Sequence, residues 1–521
     1  MLPSAHTDTF CRDHLPPAGQ WPELSGHGWQ PAYPEQLNLG AVLLEETIAR
    51  HGADRVAVIG DEVTFTYGEL LAESNRLARV LTLECGLVPG NRVLIWGHNS
   101  PWLAAVWLAV LRAGGVAVPV SPLLTAVEVD TQREVTRAGH VVVSARLAGR
   151  VDGAVVYGSS DDDDLLVRAR RHPGDFTPVA TSQDDVAFLV STSGTTGKPK
   201  VTAHFHRDLL AIADTYCAHA LRPTPDDVFT GTPHLSFTYG LGGRLVFPLR
   251  TGAATVLMEE TSTVALRDSI VKHRATVCVS SPAAYRGLAA MAHPELLGSI
   301  RVAVSSGEAL PASVWTTFRD ATGIEILEAL GTTECTQTFT SNVAGDVRPG
   351  SVGRPLPGYV VEIWDEQGRP VPPGVPGRFA VKGPTGCRYL DDPRQTSYVQ
   401  RGWNVTGDIF SRDADGFLWY HGRADDLINS AGHKVYPVEI ENELLRHPLV
   451  RECMVNGSAV GGVELITAHV VRADDAMPDA ELQQHLRTFL SGRLAPYKIP
   501  RVITFVPSLT RGITGKLRRN A

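Results

Sequence analysis

Residues 191–200 read STSGTTGKPK, a run of small hydroxyl residues and glycines closed by two lysines. Glycines let backbone N–H groups approach anionic oxygens, hydroxyls add donors, and an ammonium adds charge. Such a set is suited to holding phosphate. It is not a common phosphate fingerprint: GxxxxGK[ST] does not fit around Lys198, and GLGGRL at residues 240–245 stops short of GxGxxG. Taken alone, a loop of this composition is more often a plain linker. What surrounds it decides its use.

Several apolar, β-type runs end in loops of small polar residues. Val186–Val190 leads into the 191–200 loop, ATVCVS into SPAAY, Arg301–Ser305 into SGEALP, and Ile324–Leu330 into GTTE. Ligands bind beyond the carboxyl ends of strands in open parallel sheets, so these loops are expected to converge on one site. Upstream, VAVIGDEVTFTY predicts a hairpin turning at Gly60-Asp61. Thr66 and Glu69 have capping-box spacing for the helix that follows. The run WLAAVWLAVLRAGGVAVPV is apolar enough to suggest a membrane, but Arg112, Gly114, Gly115 and Pro119 interrupt it. It reads as a buried helix, a turn and a buried strand. Strand–helix–strand rhythm of this kind indicates parallel α/β structure. Asp161–Asp164 reads as a solvated loop.

The 521 residues are 43% hydrophobic and 20% charged, the balance of an ordinary globular protein of more than one domain. A net charge of −8 argues against nucleic acid as a partner. The seven cysteines are scattered, odd in number and without a CxxC pair. That pattern fits reduced thiols in a cytoplasmic protein better than a disulfide framework or a zinc site. No basic segment followed by an apolar run opens the chain, so no signal peptide and no membrane partner are expected. His204 and His206 form an HxH pair without a third ligand, a pattern more often structural than metallic. Residues 347–377 are rich in Gly and Pro and predict short strands and turns. After Gly422–Pro437 a helix, strands and a second helix make up about a hundred residues, enough for a small α+β domain.

Five motifs occur in order: STSGTTGKPK, LGTTE (Leu330–Glu334), TGD (Thr406–Asp408), GRADD (Gly422–Asp426) and GITGK (Gly512–Lys516). Together they resemble the core motifs of the adenylate-forming superfamily, which includes acyl-CoA synthetases. Within it the stretches RDHLPP, WPEL, HFHRD, FTYGLGG, VKGPTGCRYLDD and GWNVTGD are most similar to benzoate- and 2-aminobenzoate-CoA ligases. Val201 stands where a Gly usually follows the Pro-Lys pair, and Leu330 where an aromatic is common. The resemblance implies a large N-terminal multi-sheet α/β domain, residues 1–424, and a small mobile α+β domain, residues 425–521, hinged at Asp425.

The implied reaction uses ATP, Mg²⁺ and coenzyme A. A carboxylic acid attacks the α-phosphate to give acyl-AMP and pyrophosphate, and a thiol then displaces AMP. The resemblance assigns Thr192, Ser193, Gly194, Thr195, Thr196, Gly197 and Lys200 to the β- and γ-phosphates. It assigns Thr333 to the α-phosphate, Glu334 to Mg²⁺, and Asp408 and Arg423 to the ribose. Glu308, Glu328 and Leu330 would border the adenine, with Lys434 a further phosphate contact. Lys516 would stabilise the charge that builds during adenylation. An acyl pocket is expected around Phe237, Tyr239, Gly240, Ser306, Gly307 and Leu330, with Tyr239 either walling an aromatic ring or packed in the core. The acid is expected to be aryl or cyclic. Two alternatives stay open: loading of a carrier-protein phosphopantetheine or handover of acyl-AMP to a partner, and a non-catalytic nucleotide-binding protein. The oligomeric state, a homodimer included, also stays open.

Overall fold

A computed structural model describes the chain except residues 1, 27, 30–31, 193–198, 292, 431–432, 461–462, 475–476, 512–516, 518 and 520–521. Two large sheets dominate the first four hundred residues. The six-stranded sheet runs in the order Val155–Tyr157, His140–Ser144, Arg92–Trp96, Val116–Val120, Val186–Thr192, Lys200–Phe205. All its pairs are parallel except the last, where Val186–Thr192 turns back antiparallel onto Lys200–Phe205. Every residue of Arg92–Trp96 is buried, as expected for a central parallel strand covered on both faces.

The nine-stranded sheet is ordered Arg354–Pro355, Thr338–Ser341, Ile326–Gly331, Val302–Ser305, Val277–Ser280, Val228–Gly231, Ala254–Val256, Val56–Ile59, Thr64–Thr66. From Ile326–Gly331 to Val56–Ile59 its neighbours are parallel, so those strands end at one edge. One apolar core joins the two sheets, with Val93 and Ile95 of the first and Phe229, Val277, Val304 and Leu327 of the second.

The local expectations hold. Val56–Ile59 and Thr64–Thr66 form the hairpin, and the Thr66–Glu69 capping box starts the Tyr67–Arg79 helix. Pro101–Arg112 is a helix buried along nearly its whole length. Its Arg112 is neutralised by Glu45 at 2.7 Å and donates to Asn75 Oδ1 at 2.7 Å. The acidic run departs from expectation at one residue. Asp161 to Asp163 are exposed, but Asp164 is buried and caps the Leu165–Ala169 helix, accepting from Leu166 N at 2.8 Å. A carboxylate beside unpaired N–H groups of a first turn gains more there than in water.

The Gly- and Pro-rich region supplies the strand Val360–Trp364, which pairs with Gly377–Lys382 in a third, antiparallel sheet. Trp403–Arg412, Val399–Gln400 and Leu418–Arg423 complete it. The 3₁₀ turn Ala424–Asp426 follows, then the hairpin Ile428–Ser430 and His433–Val435. Beyond lie the sheet Val450–Val460, Val463–Arg472, Val502–Phe505 and the helices Pro437–Leu444 and Asp479–Ser491. They enclose a separate α+β core that includes Ile440, Val455, Ile466, Leu482 and Leu486. Among the described residues no helix is long and apolar enough to cross a membrane.

Candidate active site

The site grows from the common edge of the nine-stranded sheet. Ile326–Gly331 ends in a tight turn in which Cys335 N donates to Thr332 Oγ1 at 3.2 Å and Thr336 N to Thr333 O at 3.0 Å. Thr336 takes a left-handed conformation (φ 71°). Gly331 is required at the turn's start, because a Cβ there would stand 1.9 Å from Gln337 O. The turn presents Thr333 and Glu334, both half-buried.

Glu334 does not stand alone. Tyr389 Oη donates to Glu334 Oε1 at 2.5 Å, and Lys200 Nζ lies 3.4 Å from the same hydroxyl. Lys200 opens the strand Lys200–Phe205, with Thr192 as its antiparallel partner. Val201 continues that strand, buried, with its carbonyl accepting from Leu390 N at 2.9 Å. Ser193, Gly194, Thr195, Thr196 and Gly197 lie outside the described residues, as does Lys516.

The third sheet brings a second cluster. Asp408 and Arg423 are cross-strand partners, with Arg423 Nη1 3.2 Å from Asp408 Oδ1 and 3.2 Å from Thr406 O. Asp408 is mostly buried, so its carboxylate is held by the guanidinium beside it.

Glu328 faces inward from Ile326–Gly331. Its Oε1 accepts from Leu310 N at 2.8 Å, and Oε2 meets no hydrogen-bond partner among the described residues. Burial raises its carboxyl to about 8, so at neutral pH it is held as the acid. It anchors the 306–310 loop, on which Gly307 adopts φ 91° with open space where a side chain would be. Glu308 on that loop sits 3.7 Å from Arg511. Lys434 is paired with Glu366, and Asp425 lies in the turn between the third sheet and the C-terminal core.

On the acyl side, of the two roles left open for Tyr239, the structure shows the packed one, with the residue set against the main core. Its hydroxyl shares its proton between Ser280 O at 3.0 Å and Val304 O at 3.1 Å, tying two strand ends together, and the residue as a whole is half-buried. Phe237 is half-buried two residues earlier, at the N-cap of the Thr238–Leu241 helix; Ser306 is buried just after the Val302–Ser305 strand, and Leu330 packs on the core. Gly240 serves packing: a Cβ there would meet His234 O at 2.1 Å. The two histidines behave structurally. His204 Nδ1 bonds Thr336 Oγ1 at 3.0 Å, and His206 Nδ1 accepts from Leu39 N at 3.2 Å. Burial pushes both down to about 3, so both are neutral.

Residues 44–388 match the AMP-binding enzyme family, and residues 439–516 match the AMP-binding enzyme C-terminal domain. The chain is an AMP-binding enzyme. It is 32% identical over 503 residues to the benzoate–CoA ligase of Thauera aromatica, covering 93% of this chain and 95% of that one. The anthranilate CoA ligase AuaEII, solved in complex with anthranoyl-AMP, superposes with a TM-score of 0.87 at 28% identity, covering 93% and 96%. A benzoate CoA ligase from Burkholderia xenovorans LB400 superposes with a TM-score of 0.86 at 33% identity, covering 93% and 99%. The superfamily and the adenylate-forming fold expected from the motifs are therefore those of this AMP-binding enzyme.

Sequence reasoning missed Tyr389 and Tyr398, whose hydroxyls reach Glu334 and Thr332. It also missed the fully buried pair Arg388–Asp208, 2.8 Å apart, beneath the strand that carries Lys200. Nothing in the spacing of CRYLDD pairs it with a residue 55 positions earlier.

Proposed function

We propose that this AMP-binding enzyme joins an aryl or cyclic carboxylic acid to coenzyme A in two steps. An oxygen of the acid's carboxylate attacks the α-phosphorus of ATP. The bond to the oxygen bridging to the β-phosphate breaks, and pyrophosphate leaves with that electron pair. The thiolate of coenzyme A then attacks the acyl carbon, and AMP departs with the carboxyl oxygen it had gained. The observation that carries this reading is the meeting on one hydroxyl of Lys200, from the six-stranded sheet, and Glu334, from the turn after Ile326–Gly331 of the nine-stranded sheet. A cation and a hard carboxylate side by side suit a nucleotide's phosphate end.

Glu334, an oxygen donor among threonine hydroxyls, fits Mg²⁺ and would hold it, and the metal's charge would offset that of the β- and γ-phosphates. Lys200 and the 192–197 loop bind and orient those phosphates, and Thr333 donates toward the α-phosphate. Asp408 accepts from the ribose hydroxyls with Arg423 fixing its orientation. Glu308, Glu328 and Leu330 border the adenine. Phe237, Tyr239, Ser306 and Gly307 enclose the acyl group, and the aryl substrates named in the relatives support an aromatic acid. Lys516 stabilises the charge of the adenylation transition state. Rotation about Asp425, at the junction of residues 1–424 and 425–521, then withdraws Lys516 and brings Lys434 round for thioester formation. The cysteines, all unpaired, support a cytoplasmic setting.

Pyrophosphate release is measured with ATP and Mg²⁺ over a panel of benzoates, aminobenzoates and alicyclic acids, with and without coenzyme A, and the products are weighed. AMP, pyrophosphate and an aryl-CoA are expected. ADP and phosphate would overturn the reading. Acyl-AMP that accumulates regardless of coenzyme A would move the acceptor to a carrier protein. Lys516→Ala should fold and lose about 10²- to 10³-fold in acyl-AMP formation.

A further inference from the structure

Tyr389 is fully buried and has no part in the steps above. Its backbone is fixed from several sides. Tyr389 makes one antiparallel β-bridge to Thr202, with Ala203 N donating to Arg388 O at 2.8 Å and Leu390 N to Val201 O at 2.9 Å. Tyr389 N donates to Gln395 Oε1 at 2.9 Å, while Gln395 Nε2 donates to Cys387 O at 3.2 Å and Gln20 O at 2.9 Å. The ring stands edge-on to Tyr398, centroids 5.8 Å apart, and Tyr398 Oη bonds Thr332 Oγ1 at 3.1 Å. The two tyrosines thus brace the Thr332–Glu334 turn from one segment.

A tyrosine hydroxyl has one proton to give and lone pairs to accept with. An ionised carboxylate only accepts and an ammonium only donates, so the Tyr389 hydroxyl gives its proton to Glu334 and accepts from Lys200. Its proton goes to Glu334 Oε1, and its oxygen faces Lys200 Nζ, which also lies 5.2 Å from the ring centroid. The direction of the chain is therefore set: Lys200 donates to Tyr389, and Tyr389 donates to Glu334.

We propose that Tyr389 is a positioning residue for the adenylation step. It occupies Glu334 Oε1 so that Oε2 is turned to the metal, and it holds Lys200 beside that carboxylate. The phosphate-loop lysine and the metal carboxylate are thereby set at a fixed spacing before ATP arrives. This rests on the assignment of Mg²⁺ to Glu334 made above. Groups that orient a metal ligand from behind typically affect metal affinity by about 10- to 100-fold.

The test titrates ATP into the full-length enzyme by calorimetry, once with excess Mg²⁺ and once with EDTA, for wild type, Tyr389→Phe, Tyr398→Phe, Glu334→Gln and the double variant Tyr389→Phe/Glu334→Gln. Tyr389→Phe should keep the wild-type melting temperature and lose only a small part of its metal-free ATP affinity, the part that passes through Lys200. It should lose about tenfold of the gain in affinity that Mg²⁺ brings. Tyr398→Phe should keep that gain. Glu334→Gln should lose it, and adding Tyr389→Phe should then cost nothing more. An undiminished Mg²⁺ gain in Tyr389→Phe would overturn the proposal while leaving the metal assignment standing. Equal losses with and without Mg²⁺, or additive losses in the double variant, would also overturn it. A wild type whose ATP affinity ignores Mg²⁺ would remove the metal assignment and this proposal with it.

Discussion

Lys434 Nζ donates to Glu366 Oε1 at 2.6 Å, tying the His433–Val435 strand to the turn that follows Val360–Trp364. Both side chains are well exposed, so the pair is screened and adds little to stability. Its interest is positional. It links the C-terminal segment to the third sheet, and the rotation proposed about Asp425 would separate the two groups. Glu366→Gln should leave the melting temperature unchanged and raise thioester formation relative to acyl-AMP formation. Single-turnover measurement of each half-reaction decides this, and an unchanged ratio removes the pair from the conformational step.

Asp208 and Arg388 are both fully buried and 2.8 Å apart, with the guanidinium 3.9 Å from the centre of the Phe205 ring. Asp208 also accepts from Phe205 N at 2.9 Å. Asp208→Ala strands a buried cation and an unpaired N–H, a loss of about 3–5 kcal/mol. Calorimetric unfolding should show a large drop in melting temperature. Loss of acyl-AMP formation without that drop would instead make the pair part of the site.

Asp408→Ala should raise the KM for ATP about tenfold or more, the scale of a charge-assisted hydrogen bond, and lower kcat less. Arg423 keeps its bond to Thr406 O, so the variant should fold normally. Initial rates over a range of ATP concentrations separate the two parameters. A fall confined to kcat would place Asp408 in the chemical step.

Glu328 makes stability depend on pH. Its ordinary value is 4.5 and burial raises it to about 8 in the folded enzyme. Between those values the folded state binds the proton that the unfolded chain has released. Stability from this group therefore falls as pH rises from 4.5 to about 8 and is level above. Glu328→Gln keeps an acceptor for Leu310 N but does not ionise. Its melting temperature should gain on wild type progressively from pH 5 to pH 8, and parallel melting curves over that range would place the ionisation elsewhere.

Local structure was legible in the chain itself. The hairpin turning at Gly60, the Thr66–Glu69 cap and the Val116–Val120 strand each depend on neighbours a few positions away, where turn chemistry, capping and periodicity act directly. The family was legible too, because five motifs in fixed order leave few alternatives. The loops after Val277–Ser280, Val302–Ser305 and Ile326–Gly331 could be anticipated as a group, since parallel strands of one sheet deliver their carboxyl ends to one edge, whereas Val186–Thr192 belongs to the other sheet.

Side-chain partnership was another matter. That Asp164 caps a helix, that Tyr239 spends its hydroxyl on Ser280 and Val304, and that Glu328 holds Leu310 are facts of proximity across strands and loops. The meeting of Lys200, Glu334 and Tyr389 spans 189 positions of sequence. By itself the sequence determined which residue types were available for phosphate, metal and ribose. Only the tertiary structure decided which face each other, because hydrogen-bond reach is a few ångströms in space and takes no account of distance along the chain.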